Sequence, residues 1–280
     1  MRVLCVLAQR NEVACLEPWV RYHAYMVGRE NIHIIDNASD IPYVVDKIAE
    51  YEALGIGVTH IPPGTDLAVR GQYTSEVIQR RESDRHFDFV FPMDCDEFLC
   101  VWDREGQPSC NRAFVMDYLH SLRLREGAYQ IWGGLENINK VAGLFVKRPH
   151  YKKVFFTAKQ CLGLDLGFHR GFPKNDLPVQ ECDVFYLHMQ VRPYHMFRHL
   201  ARQKLESFVD LDDANAVRNH RGANHHLVEL FLKTEEEYDR ALEELRRTQG
   251  LPEEKFDDFS RQLQILNIHP FFLQSTYYRV

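Results

Sequence analysis

The chain has 280 residues, is 45% hydrophobic, and sets 34 Lys and Arg against 40 Asp and Glu for a net charge of −6. That length allows one large or two unequal domains with a sizeable core. The acidic balance argues against a broad nucleic-acid-binding face, which needs clustered cations.

The seven cysteines show no CxxC pair and read as free, mostly buried thiols of a reducing compartment. Met1–Ala8 is too short an apolar run for a signal peptide and meets charge at Arg10 and Glu12. No stretch of about 18 apolar residues occurs. The expectation is a cytoplasmic protein without a spanning segment, with peripheral contact at the inner membrane face left open.

Residues 2–8 form a continuous apolar run, the pattern of a buried strand. A helical pattern begins near Pro18, continues through Trp19, Val20, Tyr22, His23 and Met26, and ends at Gly28. Ile32–Ile35 reads as a second strand and stops at Asp36-Asn37-Ala38-Ser39-Asp40. A helix over Tyr43–Leu54 closes at Gly55. A strand over Gly57–Ile61 ends in Pro62-Pro63-Gly64. Another helix spans Tyr73–Arg85, and a fourth strand, Phe87–Phe91, meets Asp94-Cys95-Asp96-Glu97. This alternation predicts an α/β fold: a mostly parallel sheet with helices on both faces.

Beyond it, a helix is expected over Asn111–Arg123 and a strand over Ala128–Trp132, followed by Gly133-Gly134. Strand-like pieces follow at Leu144–Val146, Val154–Thr157 and Val184–His188. Two long helices are expected, Arg192–Phe208 and His226–Arg247. The division is a core over 1–190 and an appended helical region over 191–280.

In open α/β sheets ligands bind beyond the C-terminal ends of the strands. The first four strands end in Gln9-Arg10-Asn11-Glu12, Asp36 to Asp40, Gly64-Thr65-Asp66, and Asp94 to Glu97, so all four polar ends belong to one edge. If residues 94–96 stay extended, Asp94 and Asp96 point to the same side about 7 Å apart. Such a pair repels, and a divalent cation with oxygen ligands, Mg²⁺ or Mn²⁺, would relieve it. Glu97 would face away, toward a basic group in the core.

Three segments carry a resemblance: Leu7 to Glu12 with Trp19-Val20-Arg21-Tyr22-His23, Ile34 to Asp40, and Phe91-Pro92-Met93-Asp94-Cys95-Asp96-Glu97-Phe98. In order and spacing, over about residues 1–200, they resemble nucleotide-sugar glycosyltransferases of the GT-A fold, close to the family-2-like group. The resemblance implies transfer of a sugar from a nucleotide diphosphate donor, UDP-linked first, to a hydroxyl of a glycan or lipid-linked acceptor, with inversion. It implies that Asn11, Glu12 and Asp36 hold the nucleoside. Asp94 would lie near the ribose, and Asp96 would touch the metal that bridges the diphosphate.

Tyr186-Leu187-His188, Arg192-Pro193-Tyr194 and Lys204 resemble the segment that closes such sites. A neutral histidine ligates Mn²⁺, which makes His188 the third ligand beside Asp94 and Asp96. Lys152, Lys153, His169 and Arg170 are candidates to face the diphosphate. An inverting transfer needs a carboxylate base. Asp176, Asp165 and Glu136 are the candidates, Asp176 first because it sits in the polar loop Gly171–Pro178. His220, His225 and His226 read as surface histidines, because neighbouring histidines on a helix point apart. Two rival readings are a nucleotidyltransferase that makes activated sugars and a non-catalytic glycan-binding module. A Gly-rich loop after the first strand, expected of the nucleotidyltransferase, is missing.

Overall fold

The structure is a computed structural model that describes residues 1–65, 69–137, 143–175, 177–206, 208–222 and 225–267. Its first half alternates strand and helix: β1 (Val3–Gln9), α1 (Leu16–Val27), β2 (Ile32–Asn37), α2 (Pro42–Ala53), β3 (Gly57–Ile61), α3 (Arg70–Asp84) and β4 (Phe89–Asp94). Next come β5 (Glu97–Trp102), β6 (Pro108–Ser109), α4 (Arg112–Leu122), β7 (Ala128–Trp132), β8 (Gly134–Asn137), β9 (Leu144–Lys147) and β10 (Lys152–Thr157). β11 (Cys161–Leu164), β12 (Gly171–Pro173), β13 (Gln180–Glu181) and β14 (Val184–His188) follow. The chain continues as α5 (Tyr194–Leu205), α6 (Ala214–Asn219), α7 (Val228–Phe231), α8 (Glu235–Thr248), β15 (Glu253–Lys255) and α9 (Asp257–Ile265).

The first sheet has the order β13-β7-β10-β4-β1-β2-β3. β4, β1, β2 and β3 are parallel, and β10 runs antiparallel between β4 and β7. β1 shows why its sequence reads as unbroken apolar. Val3, Cys5 and Leu7 join the core under α1 and α2, whereas Leu4, Val6 and Ala8 join a second core under α3. Both faces are covered, so alternation disappears. The mostly parallel α/β sheet with flanking helices expected from the sequence is the one found.

Two local causes set the helix limits. α1 stops where Gly28 takes φ +89°, a left-handed value that glycine adopts without a Cβ penalty. α2 opens on Pro42, whose missing N–H costs nothing at a first helical position.

The second sheet has the order β15-β9-β8-β14-β5-β6. Its β5 is a strand the sequence reading did not assign. Cys95 and Asp96 form a turn, and the chain passes directly from the last residue of β4 in one sheet to the first of β5 in the other. The extended path expected through residues 94–96 is therefore corrected to a turn between sheets.

The long helix expected over His226–Arg247 is also corrected: it is broken between α7 and α8. The Thr234 hydroxyl accepts from Glu237 N at 3.3 Å, and the Glu237 carboxylate accepts from Thr234 N at 2.8 Å. This reciprocal cap starts a new helix inside a stretch whose composition is helical throughout.

The region beyond residue 190 is not purely helical. β15 pairs antiparallel with β9. Phe256, Phe259 and Leu263 enter the core shared with β1, β4 and β14. Gln262 accepts from Cys110 N at 2.9 Å. All seven cysteines are free, and among the described residues no helix is long and apolar enough to cross a membrane.

Phe259 is 1% exposed and its ring lies 5.4 Å from that of Phe145. Phe259→Ala should cost about 3–5 kcal/mol. Denaturant unfolding should keep a single transition with a lower midpoint. A separate early transition for the C-terminal segment would show that it does not share the main core.

Candidate active site

β4 approaches the sheet edge fully buried and ends in an acidic turn. β10 hydrogen-bonds to β4 only at Val90 and Phe89, although it pairs with β7 along most of its length. Pro92 lies beyond that point and has no N–H to donate. The strands part there, and the opening receives Asp94, Glu97, Tyr151 and Lys153.

Asp94 is held by two cations. Arg70 donates to Oδ1, and Lys153 Nζ lies 2.5 Å from Oδ2. Lys153 is buried and also reaches Glu97 Oε1 at 2.8 Å and the Gly167 carbonyl at 2.9 Å. Glu97 is wholly buried, accepts from Asp94 N at 2.8 Å, and takes the Tyr151 hydroxyl as a further donor. Arg70 donates to the Ala8 carbonyl at 3.1 Å and stacks 4.6 Å over the Phe168 ring. The expected basic group opposite Glu97 is thus Lys153, but it serves Asp94 as well.

Asp96 has its own partners. His188 Nε2 lies 3.5 Å from Oδ1, and Arg192 lies 3.4 Å from Oδ2 while donating to Glu12 at 2.9 Å. The Asp96 carbonyl accepts from Met189 N at 2.7 Å. β14 and the loop after it therefore clamp the turn against the end of β1.

Burial alone would push both aspartates up. Arg70 and Lys153 instead hold Asp94 well below the usual carboxylate range, and His188 and Arg192 do the same for Asp96. For Glu97 burial wins over Lys153, and its carboxyl is raised. Burial pushes the His188 imidazole down, but Asp96 beside it holds the group above its usual value.

These pairings correct two expectations. The aspartates are not uncompensated, and Asp94 is not available to a cation without displacing Arg70 or Lys153. Among the described residues no three His, Cys, Asp or Glu side chains converge to hold a metal ion, so the set Asp94, Asp96 and His188 does not form a preassembled cage. Asp96 and His188 do lie together; the Asp96 oxygens suit Mn²⁺ or Mg²⁺, and the His188 imidazole could join them only after losing the proton that Asp96 favours. Mg²⁺ is usually held by one or two carboxylates completed by substrate phosphates and water. The pair fits such a partial site.

The neighbouring strand ends are tied to one another. Gln9 Nε2 donates to Asp36 Oδ1 at 2.7 Å, and Ser39 Oγ donates to the same oxygen at 2.5 Å. Asn11, at φ +54°, donates to Asp40 at 2.7 Å and accepts from the N–H groups of Asp40 and Ile41. Asn11 therefore uses its amide to fasten two loops. Glu12 likewise is spent on Arg192.

The other expected residues are spread around this centre. Asp165 Oδ1 accepts from the N–H groups of His169 and Arg170 at 2.6 and 3.0 Å, and Oδ2 lies 3.6 Å from the His169 ring. His169 and Arg170 are exposed, and Lys152 stacks over Trp132, away from Asp94. Glu136 is corrected as a base: it is buried and makes a bidentate pair with Arg148 at 2.8 Å. Asp176 and Asp66 lie outside the described residues. Sequence reading missed Arg70, Arg148 and Tyr151, which have no motif of their own and act only through groups distant in the chain.

No family model matches the chain, and no curated protein sequence does. Among solved structures, Staphylococcus aureus TarS residues 1–349 is similar at 11% identity and a TM-score of 0.40, covering 86% of this chain and 73% of that one. The same protein with UDP gives 10% identity and 0.41 over the same shares. Glucosyl-3-phosphoglycerate synthase from Mycobacterium tuberculosis, with Mn²⁺, UDP and glucosyl-3-phosphoglycerate, gives 16% identity and 0.37, covering 73% and 79%. At these scores the likenesses carry no argument about the reaction.

The shifted groups set a pH signature. His188 is raised from its usual 6.5, so its pairing with Asp96 stabilises fully below that value and fades as pH rises through the raised native one. Asp94 and Asp96 are depressed from 3.8, so their contribution is full above about pH 4 and is lost as acid approaches their lowered native values. In urea unfolding, His188→Gln should be less stable than the parent by about 1 kcal/mol at pH 6, with the gap closing at alkaline pH. A gap that is constant from pH 5.5 to 9 would remove the ion pair.

Proposed function

We propose that this chain is a glycosyltransferase that moves a sugar from a nucleotide diphosphate, UDP-linked first, to a hydroxyl of a glycan or lipid-linked acceptor. One observation carries the reading. In the order β4-β1-β2-β3, the chain leaves β1 toward β2 on one side and returns to β4 on the other. The crevice beyond the carboxyl ends of β1 and β4 is the switch point of the sheet, where such folds bind nucleotides. The half-buried Asp96, with His188 and Arg192, stands at that crevice.

In this reading Asp36, two strands away, accepts from the nucleoside once Gln9 or Ser39 yields an oxygen. Asp96, with His188 once its imidazole is deprotonated, would hold Mn²⁺ or Mg²⁺ together with the donor's phosphates, and such an ion would neutralise charge on the leaving diphosphate. Arg192 gives up its long 3.4 Å contact with Asp96 most readily and is placed to add positive charge there. Lys153 and Arg70 keep Asp94 ionised and in position. Asp165 and Asp176 are the proposed bases, and Asp165 keeps one oxygen clear of the backbone N–H groups.

A thermal-shift screen of UDP-, GDP-, CMP- and dTDP-sugars, with and without Mn²⁺, tests the class, because a ligand that binds the native state raises its apparent stability. UDP-sugars with Mn²⁺ should shift the midpoint most. No shift with any nucleotide would remove the reading. Release of pyrophosphate from a nucleoside triphosphate, in place of nucleoside diphosphate from a sugar nucleotide, would assign a nucleotidyltransferase. Asp96→Asn should lower sugar-nucleotide turnover on the order of 10²–10³-fold with the fold retained. Equal turnover at saturating Mn²⁺ would exclude Asp96 as a ligand. Asp36→Ala should weaken free-nucleotide binding about tenfold in calorimetry without metal, and unchanged affinity would take Asp36 out of the site.

A further inference from the structure

β11 and β12 form a hairpin that closes where Lys174 N donates to the Gln160 carbonyl. Its inner side is pinned to the molecule. Cys161, Leu164 and Phe168 join the core under α3. Gly171 packs so tightly on Phe156 that an added Cβ would come within 2.3 Å of that ring.

Its outer side is apolar and exposed. Leu162 is 56% exposed, Leu166 50% and Phe172 58%. Phe172 pairs with Gly163, and the register shifts between Cys161 and Gly163, so Leu162 is the extra residue of a bulge beside that pair; both side chains are exposed, with Leu166 in the connecting turn. Strand alternation places Trp132, 48% exposed, and Lys152 on the sheet face that the hairpin crosses, where their side chains stack.

The surroundings are cationic, in a chain of net charge −6. Lys159, Arg170 and Lys174 are exposed on the hairpin or at its base. Of the acids beside them, Asp165 already accepts two backbone N–H bonds, and the buried Glu82 accepts from Lys159 N at 2.6 Å.

We propose that this face docks on an anionic lipid bilayer. Leu162, Leu166, Phe172 and Trp132 enter the headgroup boundary, and the lysines with Arg170 meet the lipid phosphates. Bulky apolar side chains with an interfacial tryptophan, set among cations, are the composition that binds such a surface in its plane. Exposed apolar patches of this kind mark interaction sites, and a preformed hairpin loses little conformational freedom when it docks. The inference stands apart from the transfer reaction, although the Gly167 carbonyl that accepts from Lys153 belongs to the same hairpin and puts the docking face beside the candidate site.

Co-sedimentation with vesicles tests it, using phosphatidylcholine alone and phosphatidylcholine with phosphatidylglycerol. The parent protein should bind the anionic vesicles at least tenfold more tightly, and high salt should weaken that binding. Leu166→Ser with Phe172→Ser should reduce it at least tenfold at an unchanged melting midpoint, because both side chains are exposed. Leu124→Ser should leave binding unchanged, because Leu124 is 87% exposed but lies outside the hairpin. No binding by the parent, or equal binding by the double variant, would overturn the proposal. So would a concentration-dependent dimer in light scattering that the double variant abolishes, which would assign the face to a second copy.

Discussion

Three carboxylates in four residues end the apolar strand β4, and the molecule tolerates them because cations arrive there from α3, β10, β14 and the loop after β14. Arg70 and Lys153 neutralise Asp94, Lys153 also serves Glu97, and His188 with Arg192 neutralises Asp96. Lys153 and Glu97 are both buried, and removing one partner of such a pair strands the other at a cost of about 3–5 kcal/mol. The turn is therefore a point at which four distant segments must agree, and much of the remaining architecture can be read as the means of delivering them.

The two sheets are one such means. The turn at Cys95-Asp96 sends the chain from the mostly parallel first sheet to the mostly antiparallel second one, so Asp94 ends a strand of one sheet and Glu97 begins a strand of the other. β14 pairs with β5 and puts His188 opposite Glu97. β10 pairs with β7 but leaves β4 beyond Val90, and this parting lets Lys153 reach the turn from inside the sheet. Tyr22, on α1, donates to the Leu99 carbonyl of β5 and fastens the helix of the first layer to the second sheet.

The polar loops around the turn divide into groups already satisfied and groups with capacity left. Asn11, Glu12 and Glu136 spend their hydrogen bonds on loop closure or on a single arginine. Asp96 and His188 meet at 3.5 Å, a long contact for a hydrogen bond, and both are partly open to solvent. A satisfied buried network resists change, whereas a loosely satisfied one at a surface can exchange its partners for a ligand. Capacity for chemistry follows this difference more closely than the number of carboxylates does.

The order of strands and helices through β4 was legible in the sequence, because a strand covered on both faces must be apolar throughout and glycine or proline marks the turns between elements. The strands Gly57–Ile61, Ala128–Trp132 and Val184–His188 fall where the sequence placed them. The edge of the sheet that gathers Glu12, Asp36 and Asp96 was legible too, since the parallel alternation puts every such strand end on one side. Tertiary structure alone decided which charges meet. Arg70 is 24 residues from Asp94 and Arg192 is 96 from Asp96, and a long-range ion pair leaves no periodicity in the sequence. It also decided that β5 is a strand, that Thr234 breaks a helix, and that β15 and α9 complete the second sheet and its core. Each of these depends on a partner segment, and local sequence pattern records a segment's own preferences but not the identity of the surface it will meet.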